Sequence, residues 1–442
     1  MKRIFLGLVF FAVCSVCVLS SAQAAILRQQ NDQNALDTGF SLSGLNRLAA
    51  EFEAILSEGD TPGAQLAVYK NEKFIIYLAG GTTENGGSTP VGFTTLFQYR
   101  SVTKALAAIS DMILWDASHF QVNDLVTRYW PGYGSNGKQD TTLGMLLAHR
   151  AGIPQSLSLG AGQFEMNPAN RPNIVSQIET LAPLWTPGAK NGYDASNAAY
   201  VMDELALRAE GRDTAQIFLE DVLAVSGIAD LWIGLPASEF SRMAQMYVHW
   251  WVRLGQPERA SFSDYLNTQP GIGERISWVT GCGTAKALAE IGQILAGKGT
   301  YKGVTYYSEA AHTLFSTPTN AAEVVDAILG YVVRWGLVFI LGDTPVVFGD
   351  ASHSRAVGHL GGSATVLEAD PDTGLSYAYV TNSMLPDDQA NERYRRIGNA
   401  VWNSLAGSSG DPPDSGSDSN GGGGGGTCFL GTLFSRLEPR RN

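Results

Sequence analysis

A hairpin with no neighbouring strand close in sequence constrains this chain most. Gly63 to Tyr69 and Phe74 to Leu78 are β-rich runs joined by Lys70-Asn71-Glu72-Lys73. A lone hairpin is only marginally stable in water and needs further strands or a packed helix. The next strand-like runs come late: Tyr331 to Leu341, Val346 to Phe348, Ala364 to Glu368 and Leu375 to Thr381, the last two around the turn Asp370-Pro371-Asp372-Thr373-Gly374. Between them, Gln121 to about Gly299 reads as helical patterns and loops with few strands. Strands from the two ends must therefore meet in one sheet. The expected fold is α/β of the α+β type, an antiparallel sheet flanked by terminal helices plus a mostly helical lobe. The first helix shows Leu45, Leu48, Ala49, Phe52, Ile55 and Leu56 on one face, with Ser41 or Ser43 as its cap; the last shows Tyr394, Ile397, Val401 and Leu405, with Asp387 or Asp388 near its cap.

Composition bounds the rest. The 442 residues are 44% hydrophobic and 16% charged, enough for a sizeable core. The net charge of -12 argues against a nucleic-acid partner, which would call for a basic footprint. Lys2-Arg3, the apolar run Ile4 to Leu19 and Ala22-Gln23-Ala24 read as a signal peptide over residues 1–24, so the mature chain is expected to begin at Ala25 and to be exported, periplasmic or secreted. Cys14 and Cys17 leave with that leader. Cys282 and Cys428 remain, so no disulfide framework is expected despite the oxidising destination. One globular domain is expected over residues 25–406, then a Gly/Ser/Asp-rich linker over 407–427 and a short Cys, apolar and basic tail over 428–442. The tail reads as disordered, with cell-envelope association through it as the alternative.

Chemistry concentrates at Tyr99-Arg100-Ser101-Val102-Thr103-Lys104. Apolar residues at Leu106, Ile109, Met112 and Ile113 follow at helical spacing, which puts Ser101 in the first turn of a buried helix and Lys104 on the same face. Serine with a nearby lysine is a nucleophile with a base, provided burial keeps the amine unprotonated. The tetrapeptide alone equally describes an N-cap serine with a solvent-facing lysine. A second copy, Ser135-Asn136-Gly137-Lys138, lies in a Gly- and Asn-rich loop and reads as solvated surface. Two further stretches stand out. Gly192-Tyr193-Asp194-Ala195 precedes a helix, where a tyrosine is commonly a core staple. Gly358-His359-Leu360-Gly361-Gly362-Ser363 precedes a strand expected from Ala364, and its glycines suit either a tight turn or close approach of backbone N–H groups to an oxyanion.

Other chemistries lack their motifs. Neither G-x-S-x-G nor H-E-x-x-H occurs, the six histidines are scattered and cysteine pairs are missing, so no metal site and no cofactor are expected. Gly292 to Gly299 imitates a phosphate loop, but Gly299 stands where Ser or Thr would bind magnesium. Ala287, Leu288, Ile291, Ile294 and Leu295 make the stretch a helix ending on Gly297.

In order and spacing, the serine-lysine pair, the tyrosine motif and His-x-Gly before a late strand resemble the class C β-lactamases with their penicillin-binding and esterase relatives. The resemblance runs from about Leu45 to Leu405. It includes Asn123-Asp124-Leu125-Val126, Trp130-Pro131 and Leu146-Leu147-Ala148-His149-Arg150-Ala151-Gly152-Ile153-Pro154. Asp230-Leu231-Trp232-Ile233-Gly234-Leu235-Pro236 looks like the esterase-leaning branch. The resemblance implies Ser101 as the acylated nucleophile, Lys104 as its base and Tyr193 as the proton relay to the leaving group. It implies an oxyanion and substrate site at Ser101, His359, Gly361 and Gly362, with the N–H groups of Ser101 and Gly362 as donors. The implied partner is a small-molecule ester, amide or peptide. Two departures stand out. Ala195 occupies the third place of a motif that is Tyr-x-Asn in many relatives, and Gly361 runs directly into Gly362-Ser363, shorter than in many relatives. The expectation is a carboxylesterase-like serine hydrolase, with a D-alanyl-D-alanine carboxypeptidase or β-lactamase as alternatives. A catalytically silent cell-wall-binding or structural protein is the alternative from another class.

Overall fold

The computed structural model describes residues 26–249, 257–344, 347–362 and 365–406. The expected leader, linker and tail lie outside the described residues, as do Val346, Ser363 and Ala364. The strands that matter here are β1 (Leu27–Gln30), β2 (Gly63–Lys70), β3 (Lys73–Gly81), β4 (Phe97–Gln98), β5 (Leu231–Ile233), β6 (Gly281–Gly283), β7 (Ile340–Leu341), β8 (Val357–Gly361), β9 (Thr365–Asp370) and β10 (Leu375–Thr381). The helices are α1 (Leu42–Ser57), α2 (Thr103–Asp116), α3 (Asn197–Glu210), α4 (Ala285–Ala296) and α5 (Asp387–Trp402).

Seven of these strands form one sheet among the described residues, in the order β1-β3-β2-β10-β9-β8-β7. Every pairing in it is antiparallel. The hairpin thus finds its partners: β10 lies against β2 with Leu375 opposite Lys70 and Thr381 opposite Ala64. Asn71 and Glu72 both have positive φ, 50° and 62°, the turn that matches the twist of two adjacent strands.

Both faces of the sheet are covered, and the two-residue period of β2 shows how. Leu66 and Val68 point to α1 and α5, joining Leu45, Leu48, Phe52, Tyr394, Ile397 and Val401 in one core. Ala67 and Tyr69 point the other way, to Leu288, Ile291 and Leu295 of α4 and on to the α2 core. Ser41 caps α1, accepting from the Gly44 N–H at 3.0 Å. The α+β expectation holds, with the terminal helices on the sheet.

Several local expectations fail, each for a visible reason. Helix α4 was expected to close the helical lobe; it packs across β2, β9 and β10 instead. A side chain at Gly292 would put its Cβ 2.8 Å from Ser376 Cβ, so the glycine lets α4 settle onto the sheet. Tyr331 to Leu341 is mostly irregular: Ile340–Leu341 pairs in the main sheet, and Val332 and Trp335 make only isolated bridges, to Val325 and Ile340. Val338 turns the chain with φ 67°. Val347 and Phe348 lie in a turn rather than a strand. His359 precedes a strand as expected, β9 from Thr365, but also lies inside a strand of its own, β8, paired with Leu367. Leu405 lies past the end of α5, bridged to Phe40. Strand β1 and the short helix Asp32–Asp37 were not anticipated. Neither was the small sheet β4-β6-β5 beside Ser101.

Candidate active site

The small sheet fixes the turn that carries Ser101. The Tyr99 N–H donates to Gly281 O at 2.7 Å, and Tyr99 Oη donates to Thr284 O at 2.7 Å. Arg100 takes φ 54° and is held by its guanidinium, which donates to Gln98 Oε1 at 3.0 Å and Ser263 Oγ at 2.6 Å. A single 3-10 turn, Arg100–Val102, then feeds α2. Ser101 emerges half-buried at the wall of a cavity of about 670 Å³.

Lys104 sits one turn on, as the spacing predicts. Its Nζ donates to Ser101 Oγ at 3.1 Å and to Trp278 O at 3.2 Å. The amine also lies 5.4 Å from the Tyr193 ring centre and 5.5 Å from that of Trp278. Burial pushes Lys104 down to about 7, against the pull of the Asp194 carboxylate. At neutral pH much of it is a free amine.

Tyr193 arrives from the loop before α3. Asp194 caps that helix, accepting from the N–H groups of Ser196 at 3.0 Å, Asn197 at 2.7 Å and Ala198 at 3.1 Å. Burial pushes Asp194 up to about 6 despite those bonds and Lys104. The Tyr193 ring stacks on Trp335 at 5.8 Å and 2° and meets His149 at 5.0 Å. Its hydroxyl is buried and makes no hydrogen bond of ordinary geometry among the described residues. Burial raises its pKa, and the Ser101 hydroxyl beside it opposes the rise. The register of the motif follows from exposure: Ala195 opens to the cavity, whereas buried Asn197 donates to Ile153 O at 2.6 Å and Gln155 O at 2.7 Å.

His359 closes the far wall. Its Nδ1 lies 2.6 Å from Leu360 O, an acceptor, so Nδ1 carries the proton and buried Nε2 is left as a lone pair without a partner. Burial and the charge of Lys104 hold the ring well below its ordinary pKa. Gly362, with φ 48°, lines the cavity. Gly361 does not line it; a Cβ there would stand 2.1 Å from Tyr99 O, so Gly361 lets β8 abut the turn that carries Ser101. The structure therefore brings Ser101, Tyr193, His359 and Gly362 to one cavity, with Lys104 buried behind Ser101 and Gly361 behind the wall.

The second serine-lysine pair departs from expectation. Lys138 is fully buried rather than solvated, because its amine serves three backbone carbonyls, while Ser135 is exposed.

Sequence reading passed over His149, Trp278 and Trp335. His149 had a signal, since it stands in the connecting stretch Leu146 to Pro154; the two tryptophans had none. The walls are otherwise mostly apolar, with Leu157, Leu159, Phe164, Phe262 and Leu329, while Ser156, Ser196, Asp387 and Asn391 add polar groups. Among the described residues one potential metal cluster, His353 with Asp370 and Asp372, lies elsewhere. Asp370 already accepts from His353, Thr373 and the Asp372 N–H, and Arg355 pairs with Asp372, so the group reads as a stapled turn.

A hydroxyl, an amine close to neutrality and a phenol around a mostly apolar cavity can perform acyl transfer. A family model described as Beta-lactamase matches residues 45–401. Among curated proteins the chain is similar to "Esterase/beta-lactamase LipL" of Mycobacterium tuberculosis, 25% identical over 347 residues, which is 73% of this chain and 77% of that protein. Among solved structures it is similar to a family VIII carboxylesterase, at 26% identity and TM-score 0.72, covering 83% of this chain and 99% of that one. It is also similar to a penicillin-binding protein homolog from Caulobacter crescentus, at 25% identity and TM-score 0.72 with the same two shares, 83% and 99%.

Proposed function

The chain belongs to the Beta-lactamase family, and on that premise we propose that it hydrolyses carboxylic esters through an acyl-enzyme on Ser101. The observation that carries the reading is the 3.1 Å contact between Lys104 Nζ and Ser101 Oγ, at an amine that burial holds at about 7. Neutral Lys104 takes the Ser101 proton as Oγ attacks the ester carbonyl. The N–H groups of Ser101 and Gly362 receive the oxyanion. Tyr193 passes a proton to the departing alkoxide and draws its replacement from Lys104. Water then attacks the acyl group, its proton returns through the same pair, and Ser101 leaves as the hydroxyl.

Esters are favoured over β-lactams and peptides by the chemistry of the walls. Ala195 offers no hydrogen bond to a substrate amide. Arg100 is engaged by Gln98 and Ser263, and His359 is held neutral, so neither supplies a charge ready for a substrate carboxylate. Shape and a mostly apolar lining remain, with Ser156, Ser196, Asp387 and Asn391 as its polar part, and such a site admits a range of acyl groups. An alkoxide also leaves with less demanding protonation than an amine. The test compares p-nitrophenyl butyrate with nitrocefin on residues 25–407. A higher kcat/KM for the butyrate is expected; a higher value for nitrocefin overturns the assignment. In the same assay A195N is expected to raise lactam acylation more than ester acylation.

A further inference from the structure

Tyr193 stands on a loop, and a loop does not by itself hold a phenol to within a fraction of an ångström of a proton path. The loop is sewn down on both sides. On one side the Asn191 side chain donates to Ala148 O at 3.0 Å, the Gly192 N–H to His149 O at 2.9 Å, and the Asp194 N–H to His149 Nδ1 at 3.2 Å. On the other side the Ala327 N–H donates to Asn191 O at 2.9 Å, and the Tyr193 N–H donates to Asp326 Oδ1 at 3.0 Å.

Asp326 does more than close its own turn. Oδ1 also accepts from the N–H groups of Ile328 at 2.9 Å and Leu329 at 3.0 Å, and Oδ2 accepts from Trp335 Nε1 at 3.0 Å. Trp335 is the ring on which Tyr193 stacks, parallel to within 2°. One buried carboxylate thus fixes both the backbone from which the phenol springs and the surface against which it lies.

We propose that Asp326 is the positioning residue of the proton relay, holding Tyr193 through its own N–H and through Trp335. This rests on the reading of Tyr193 given above. Four N–H donors converge on the group, and only a carboxylate accepts on both oxygens. An asparagine in the same pose keeps Oδ1 for the three backbone donors but turns its NH2 toward the Trp335 N–H, donor against donor. That asymmetry makes the proposal testable.

The experiment measures kcat and KM for p-nitrophenyl butyrate in D326N, W335F, D326N/W335F and Y193F, each normalised to Ser101 sites titrated with a fluorophosphonate. D326N is expected to lower kcat about 30-fold while KM moves less than about threefold. D326N/W335F is expected to recover about fivefold over D326N, because phenylalanine keeps a stacking face and removes the opposed donor. A merely structural carboxylate would change the number of titratable sites and leave kcat per site alone, and the two substitutions would then show no recovery; that result overturns the proposal. Should D326N yield no folded protein, W335F alone decides: reduced kcat at unchanged KM supports the clamp, and wild-type kcat overturns it. Y193F separates the two levels. Wild-type kcat in Y193F removes the proton-relay reading itself, whereas an inactive Y193F beside a fully active D326N removes only the positioning role.

Discussion

The chain carries the same tetrapeptide pattern twice, and the two copies differ in what the lysine faces. At Ser135 and Lys138 the amine donates to the carbonyls of Ser135 at 2.7 Å, Glu179 at 3.1 Å and Leu181. Three acceptors use all three N–H bonds of an ammonium and leave no lone pair. The Ser135 hydroxyl is turned away, donating to Gly132 O at 3.0 Å. At Ser101 and Lys104 the amine faces one carbonyl and one hydroxyl, and a hydroxyl can hand its proton to the amine. Burial pushes both lysines down, Lys104 to about 7 and Lys138 to about 8. The pKa therefore does not separate them; their partners do. One lysine staples a turn to residues 179–181, and the other is placed to accept a proton beside a cavity.

The comparison breaks most visibly at the serines. S101A is expected to lower ester turnover about 10⁴-fold, as removal of a nucleophile does elsewhere. S135A is expected to stay within about twofold of wild type, and a large loss there would end the distinction. The lysines sharpen it because activity and stability move in opposite senses. K104M is expected to lose about 10³-fold in kcat and to melt at a higher temperature by calorimetry at pH 6. The folded pKa of Lys104, about 7, lies below the ordinary value of 10.5, so the unfolded chain holds the proton more tightly. Lys104 therefore costs stability below the ordinary pKa, fully so below pH 7, and stability rises with pH across that interval. K138M should keep its kcat and melt lower, because three backbone carbonyls lose a shared donor, at about 0.5 to 1.5 kcal/mol each. The smallest effect is in the pH profile. Ester kcat/KM is expected to fall toward acid with a midpoint near 7 as Lys104 takes up its proton, tenfold per unit well below it. K138M should share that profile, since Lys138 is outside the site.

What the sequence made legible was local or periodic. The hairpin, β10, α1 and α5 follow from alternation, turn residues and amphipathic faces, and the Ser101-Lys104 geometry follows from helical spacing. What it hid depended on distant segments meeting. Tyr331 to Leu341 has strand composition, yet Val338 takes φ 67° and Trp335 is drawn to Asp326, so the stretch becomes a wall of the cavity instead. The α4 pattern marks a helix but not which layer it joins. Lys138 looks like a surface lysine until the carbonyls of 179–181 arrive. Trp278, which gives Lys104 its second acceptor, is distant in sequence from everything it serves.

The central claim is that Ser101 is the nucleophile because Lys104 activates it. Intact mass and peptide mapping after fluorophosphonate treatment at pH 8 test it most directly. One adduct is expected, on the peptide containing Ser101, and none over the same interval in K104M. An adduct at Ser135, or full labelling of Ser101 in K104M, would contradict it.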